Sequence, residues 1–106
     1  MKRIIWSVGL SLIAAAVAIA ADAAAGKALY DKACKACHGL DGKPNPAIAK
    51  SMKVEMLHLG APEVQKMSDA DLKAVITSGK GKMKPVASVK GAGVDNVVSH
   101  MRTFKP

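Results

Sequence analysis

The stretch Cys34-Lys35-Ala36-Cys37-His38 holds both cysteines of the 106-residue chain and sets a histidine directly after the second. Two thiols separated by two residues and followed by histidine form the pattern by which a c-type haem is attached. In a helical turn this spacing brings both sulfurs to one edge of a porphyrin, where they add across the vinyl groups. The next residue then offers its imidazole to the iron. Three other readings fit less well. A redox-active Cys-x-x-Cys opens a helix after a strand, and nothing strand-like precedes Cys34. A tetrahedral zinc site needs two more ligands, and only His58 and His100 remain, without the tight spacing zinc motifs supply. A structural disulfide leaves His38 without a task.

Upstream of the motif, Lys2 and Arg3 precede an apolar run from Ile4 to about Ala21 that contains Ala18-Ile19-Ala20, an A-x-A cleavage pattern. Residues 1–21 therefore read as a secretory signal cut between Ala20 and Ala23, with one mature domain over residues 22–106 in the periplasm. The run approaches the lower length limit of a membrane span, so an uncleaved anchor is the competing reading. Its alanine-rich second half and terminal cleavage pattern favour removal, and no stable membrane insertion is expected afterwards. No cysteine follows the run at once, so lipoprotein processing is not indicated.

A domain this small buries little of its own surface, and outside the leader its only aromatics are Tyr30 and Phe104. Something else must fill the core. A porphyrin is a large apolar disc that can serve as the centre around which short helices pack, as metals and disulfides do in other small domains. The haem-free chain is accordingly expected to be largely unfolded.

Without Lys2 and Arg3 the chain keeps 14 basic against 8 acidic residues. Lys32, Lys35 and Lys43 flank the motif, and Lys80, Lys82 and Lys84 cluster in a later loop. Should both segments border the haem edge, they form a positive collar suited to steering acidic redox partners; otherwise they are solubilising charge. Nucleic acid is not an expected partner, because no aromatics interleave the lysines and no nucleic-acid motif occurs.

The alanines, Leu29, Tyr30 and i,i+4 charge pairs predict a helix from Ala23 to about Cys37. Gly39, Gly42, Pro44 and Pro46 predict a loop after it. Residues 47–67 read as short helical pieces ended by Gly60 and Pro62. Ser68 and Asp71 form a capping-box variant, so a helix starts there, with Leu72, Val75 and Ile76 on one face and Gly79 as its stop. Val94, Val97, Val98, Met101 and Phe104 predict a last helix over about 94–104. No segment alternates with period two, so the fold class is all-α.

Candidates for a second axial ligand are Met52, Met56, Met67, Met83 and Met101, with His58 and His100 as a bis-histidine alternative. Met101 belongs to an apolar helix face, and Met52 and Met56 share i,i+4 spacing, both ordinary signs of packing. Met83 lies among lysines in Gly79-Lys80-Gly81-Lys82-Met83-Lys84-Pro85, where an apolar side chain needs another reason to be ordered. A loop of glycine and proline can approach a flat cofactor closely, so Met83 is assigned, giving the His/Met pair familiar in electron carriers.

At this point the chain resembles the small class I cytochromes c, particularly bacterial mono-haem proteins of the c-551 and c-553 type. The resemblance covers nearly all of the mature region. It rests on the haem motif, Gly39 and Gly42, the Gly-rich loop with Met83, the C-terminal amphipathic helix, and Gly26 and Tyr30 in the first helix. It implies that Gly26 allows the first and last helices to cross closely, and that a proline carbonyl, Pro46 before Pro44, accepts the proton of the ligating His38 imidazole. Two departures stand out. Lys84 separates Met83 from Pro85, where the family usually places proline directly after the methionine. His100 occupies a helix-crossing position usually held by an aromatic residue, where it can pack edge-on.

With His38 and Met83 both bound, iron has no open position, and one-electron exchange is the chemistry left. The expected protein is a monomeric, non-enzymatic carrier with one covalent haem c. A gas-binding or peroxide-reducing protein would need an open sixth site, and His58 is the residue that could serve it. A fixed cytochrome subunit of a larger oxidoreductase would carry the same chemistry in permanent association.

Overall fold

The computed structural model describes residues 21–106, so the expected leader and its Ala18-Ile19-Ala20 pattern lie outside the described residues. Asp22 begins the first helix: its carboxylate accepts from the N–H groups of Ala24 and Ala25 at 2.9 and 3.1 Å, satisfying two donors that a helix start leaves free. Alanine-rich sequence and a Lys27–Asp31 pair at 2.8 Å carry α1 over Ala23–Ala33. The single helix expected through Cys37 is two. Cys34, at φ −120° and ψ −33°, breaks the ladder, and α2 covers only Lys35–His38. Gly39 ends α2 at φ +72°, and a Cβ there would stand 2.1 Å from the Lys43 carbonyl oxygen.

The next segment does form short pieces, but not where its sequence suggests: Pro46, expected in the loop, opens a helix, residues 54–59 are not helical, and Pro62 starts a turn of helix rather than ending one. α3 spans Pro46–Met52, with Asn45 as N-cap and proline at the first position, where its missing N–H costs nothing. α4 is the single turn Pro62–Gln65. α5 runs over Asp69–Ser78, and Ser68 Oγ accepts from the Asp71 N–H at 3.1 Å, the predicted cap. α6 spans Ala92–Met101. It starts earlier than its apolar stripe suggests and stops before Phe104, which still reaches the core from the following turn. Among the described residues no strand forms, and the one β-type pairing is an isolated Lys80–Met83 bridge.

The first and last helices cross at Gly26. A Cβ there would lie 1.8 Å from the Asn96 carbonyl oxygen, so only glycine lets the backbones approach so closely. Asn96 also holds the start of α1, its side-chain oxygen accepting from the Asp22 N–H at 2.8 Å. Below the crossing, Tyr30 and Val97 are fully buried among Val94, Val98, Met101 and Phe104 of the C-terminal region and Leu72 and Ile76 of α5. His100 packs edge-on, its ring 5.3 Å from Tyr30 and 5.0 Å from Phe104 between centroids, which is the packing expected of it.

Past α6 the chain is fastened to the α4–α5 corner by Arg102. Its guanidinium donates to the carbonyls of Gln65 and Met67 at 2.9 and 2.7 Å and to the Asp69 carboxylate at 2.7 Å. Gln65 in turn donates to the carbonyls of Leu59 and Met101. This clamp leaves one side of the core open.

Candidate functional site

The open side is a cavity of about 630 Å³. Its walls come from the motif helix, the segment after α3, one face of α5 and the Lys80–Lys84 loop. Most lining residues are apolar, and Glu55 is the only carboxylate among them. Such a volume inside a core this small is far larger than packing defects allow, so it is a binding site.

Cys34, Cys37 and His38 all line it. The two thiols are free. Cys34 is buried, and burial, with Cys37 next in effect, pushes its thiol up to about 11. That is opposite to the lowered thiol of a redox Cys-x-x-Cys, and it argues for a thiol kept neutral and intact. Nor do three of His, Cys, Asp or Glu gather anywhere among the described residues in a way that could hold a metal, so the zinc reading has no site.

Burial also lowers the His38 imidazole, keeping it neutral and ready to donate a lone pair. Its Nδ1 is buried without a partner, which leaves Nε2 as the nitrogen facing the cavity. The bond expected from Nδ1 to the Pro46 carbonyl is not formed. Pro46 is the first residue of α3, so its carbonyl points along that helix. The segment is tied to the motif one residue earlier: the Asn45 N–H donates to the Cys37 carbonyl at 2.9 Å and its side-chain amide to that of Ala36 at 3.3 Å. Pro44 likewise accepts nothing from His38. From the other side Tyr30 donates its hydroxyl to the Gly39 carbonyl at 2.7 Å, pinning the end of α2 to the core. Sequence reasoning placed Tyr30 on the first helix and missed this bond, because nothing local shows where a hydroxyl nine residues away will land.

All five methionines of the described region line the cavity. Met101 is core on α6 and Met67 packs against the core, as apolar residues do. Met83 is placed differently. Lys80 and Met83 exchange backbone bonds of 2.9 and 3.0 Å, and Gly79, at φ +78°, sits where a Cβ would meet the Met83 carbonyl oxygen at 2.5 Å. A tight two-glycine turn thus presents this side chain to the cavity from a fixed backbone. Neither remaining histidine reaches the wall: His100 is in the aromatic cluster, and His58 Nδ1 accepts from the Gly60 N–H at 2.9 Å.

Of the six lysines expected in a collar, Lys80, Lys82 and Lys84 line the cavity, whereas Lys32, Lys35 and Lys43 do not. Large apolar side chains stand exposed at the same rim, Leu57 at 50% and Met52 at 37%. The arrangement fits a haem: an apolar slot for the ring, two thiols and an imidazole within five consecutive residues at one wall, and thioether side chains around the remainder.

Comparison with known proteins agrees. The family model described as cytochrome c oxidase, cbb3-type, subunit III matches residues 21–101. Among solved structures the chain is similar to KustC0563 c-type cytochrome, with 30% identity and a TM-score of 0.63, over 76% of this chain and 98% of that one. No curated protein matches the chain.

Proposed function

Because the chain belongs to the c-type cytochrome family whose model describes cytochrome c oxidase, cbb3-type, subunit III, and such a cytochrome carries covalent haem c, we propose that it is a one-electron carrier with His38 and Met83 as axial ligands. The observation that carries this reading is the convergence of Cys34, Cys37 and His38 with the constrained Met83 turn on one apolar cavity. When bound, the haem supplies reversible one-electron exchange at iron, at a potential raised by a thioether ligand relative to a second histidine.

The residues around it have separate tasks. Cys34 and Cys37 fix the ring through thioether bonds. His38, neutral and held by the Tyr30 and Asn45 bonds to the carbonyls of Gly39 and Cys37 on either side of it, would give Nε2 to the metal. Met83 fills the remaining position and so excludes substrates. The apolar walls keep water from the ring, and the frame changes little as charge is gained or lost.

Electrons enter and leave where the cavity is open, beside Lys80, Lys82 and Lys84. We assign this rim to brief encounters with acidic partners, in which the lysines raise the encounter rate more than the affinity. The carrier works as a monomer in the periplasm, after loss of its leader. No described helix is long and apolar enough to cross a membrane. A second reading, a fixed cytochrome subunit of a larger oxidoreductase, is favoured by the description of the matching family. Native mass of the protein in unfractionated extract separates the two: a free species of single-chain mass supports the carrier, and a large complex supports the subunit.

The deciding experiment is the optical spectrum of ferric protein and of its Met83→Ala variant. A weak far-red band from thioether sulfur on low-spin iron, lost on substitution, is the expected result. Its absence from the unaltered protein, or its survival in the variant, would overturn the assignment.

A further inference from the structure

The last carbonyls of a helix have no partner within it and must find one outside. At the end of α3, Lys53 adopts the left-handed conformation at φ +54° and gives its N–H to the carbonyls of Ala49 and Lys50, and the Val54 N–H also goes to Ala49. The Met52 carbonyl is satisfied differently, by the Nζ of Lys82, thirty residues on. Met52 and Lys82 both line the cavity and belong to different walls, so this bond spans its mouth. A cation at a helix C-terminus is favoured by the helix dipole as well as by the hydrogen bond.

Lys82 directly precedes Met83. The loop that carries both is tied at its ends to α5, through Gly79 N–H to Val75 at 2.9 Å and Val86 N–H to Ile76 at 2.8 Å. In between it is tied to itself by the Lys80–Met83 bridge, and a Cβ on Gly81 at its tip would meet nothing within 4 Å. Among the described residues, Lys82 supplies the side-chain bond that joins this loop to α3. Lys80 and Lys84 carry the same charge in the same loop and line the same cavity without such a bond.

We propose that Lys82 is a positioning residue, a latch that holds the Met83 loop against α3, keeps the thioether on the iron and shuts the cavity mouth to external ligands. The inference rests on the His38/Met83 reading. It distinguishes one lysine of three by contact rather than by charge.

Imidazole, which must displace Met83 to bind ferric iron, is the probe, added to purified holoprotein while the far-red band is followed. Lys82→Gln is expected to bind imidazole about fivefold more tightly than the unaltered protein, near the effect of losing one charge-assisted hydrogen bond at an exposed site. Lys84→Gln removes the same charge and is expected to bind within about twofold of the unaltered protein. Lys82→Arg, which can still donate to the Met52 carbonyl, is expected to restore resistance. Equal behaviour of Lys82→Gln and Lys84→Gln would overturn the latch while leaving the ligand pair standing. If the far-red band is missing from the unaltered protein, or remains in Met83→Ala, the ligand reading falls and the latch with it.

Discussion

The His100 ring lies between Tyr30 and Phe104 with Nε2 buried and unpartnered, and burial holds its imidazole below the usual histidine range. Two charged groups face it from α1, Asp31 opposing that shift and Lys27 reinforcing it. On unfolding the ring regains its ordinary value of 6.5, so in the window just below that value the unfolded chain binds more protons than the folded one. Stability contributed here is full above this window and declines as the pH falls through it. Urea midpoints of the holoprotein should therefore drop on acidification below about 6.5, and His100→Phe, which keeps an edge-on ring without a titrating group, should flatten that limb. The structural part of this residue was legible through the resemblance alone, which puts a packing ring at this helix-crossing position; His100 lies outside the apolar stripe. His38 and its two thiols were legible for a stronger reason, because covalent attachment fixes their spacing in the chain itself. The Pro46 carbonyl was misassigned because hydrogen-bond direction depends on where a helix begins. Asn45 caps α3 and turns the Pro46 carbonyl into the helix.

Elements show the same division between local and distant causes. α5 was readable from its cap and both α5 and α6 from apolar stripes, which are local, whereas the break at Cys34, at φ −120° and ψ −33°, has no local signal in the alanine-rich sequence around it. Residues 53–61, which wall the cavity without regular structure, have no periodicity to read. The α1/α6 crossing makes two predictions. Gly26→Ala drives a methyl into the Asn96 carbonyl, and backbone must move to admit it, so a loss of about 3 kcal/mol or more in denaturant unfolding is expected. Asp22, which caps α1 and donates to Asn96, belongs to the folded domain. Processing after Ala20 keeps it, whereas processing after Ala23 removes it together with about 1 kcal/mol of capping. The mass of the purified holoprotein is expected to include Asp22, and a protein beginning at Ala24 would show that the cap is dispensable.

At the scale of the whole molecule the apolar cavity determines what the chain can do without its cofactor. A core that leaves about 630 Å³ unfilled lacks the dispersion contacts that a small domain depends on. Replacing Cys34 and Cys37 by serine, so that no haem is retained, should collapse the NMR spectrum into the narrow range of an unfolded chain; a dispersed spectrum would show that the helices pack unaided. The charge at the rim has a different signature. Electron exchange with an acidic partner should slow as ionic strength rises, because Lys80, Lys82 and Lys84 act through a field that salt screens over about 8–10 Å. A rate indifferent to salt would remove the lysines from the encounter.

The crossing of α1 and α6 also imposes an order in time. Ribosomes deliver a chain from its N-terminus, so the haem motif emerges long before Asn96 and Val97 exist to close over Gly26 and Tyr30. Until that last helix arrives, Cys34 cannot occupy the core that makes its thiol so reluctant to ionise. The unfinished chain thus leaves Cys34 open to chemistry that the finished fold hinders, and the closing of its two ends draws that thiol into the core.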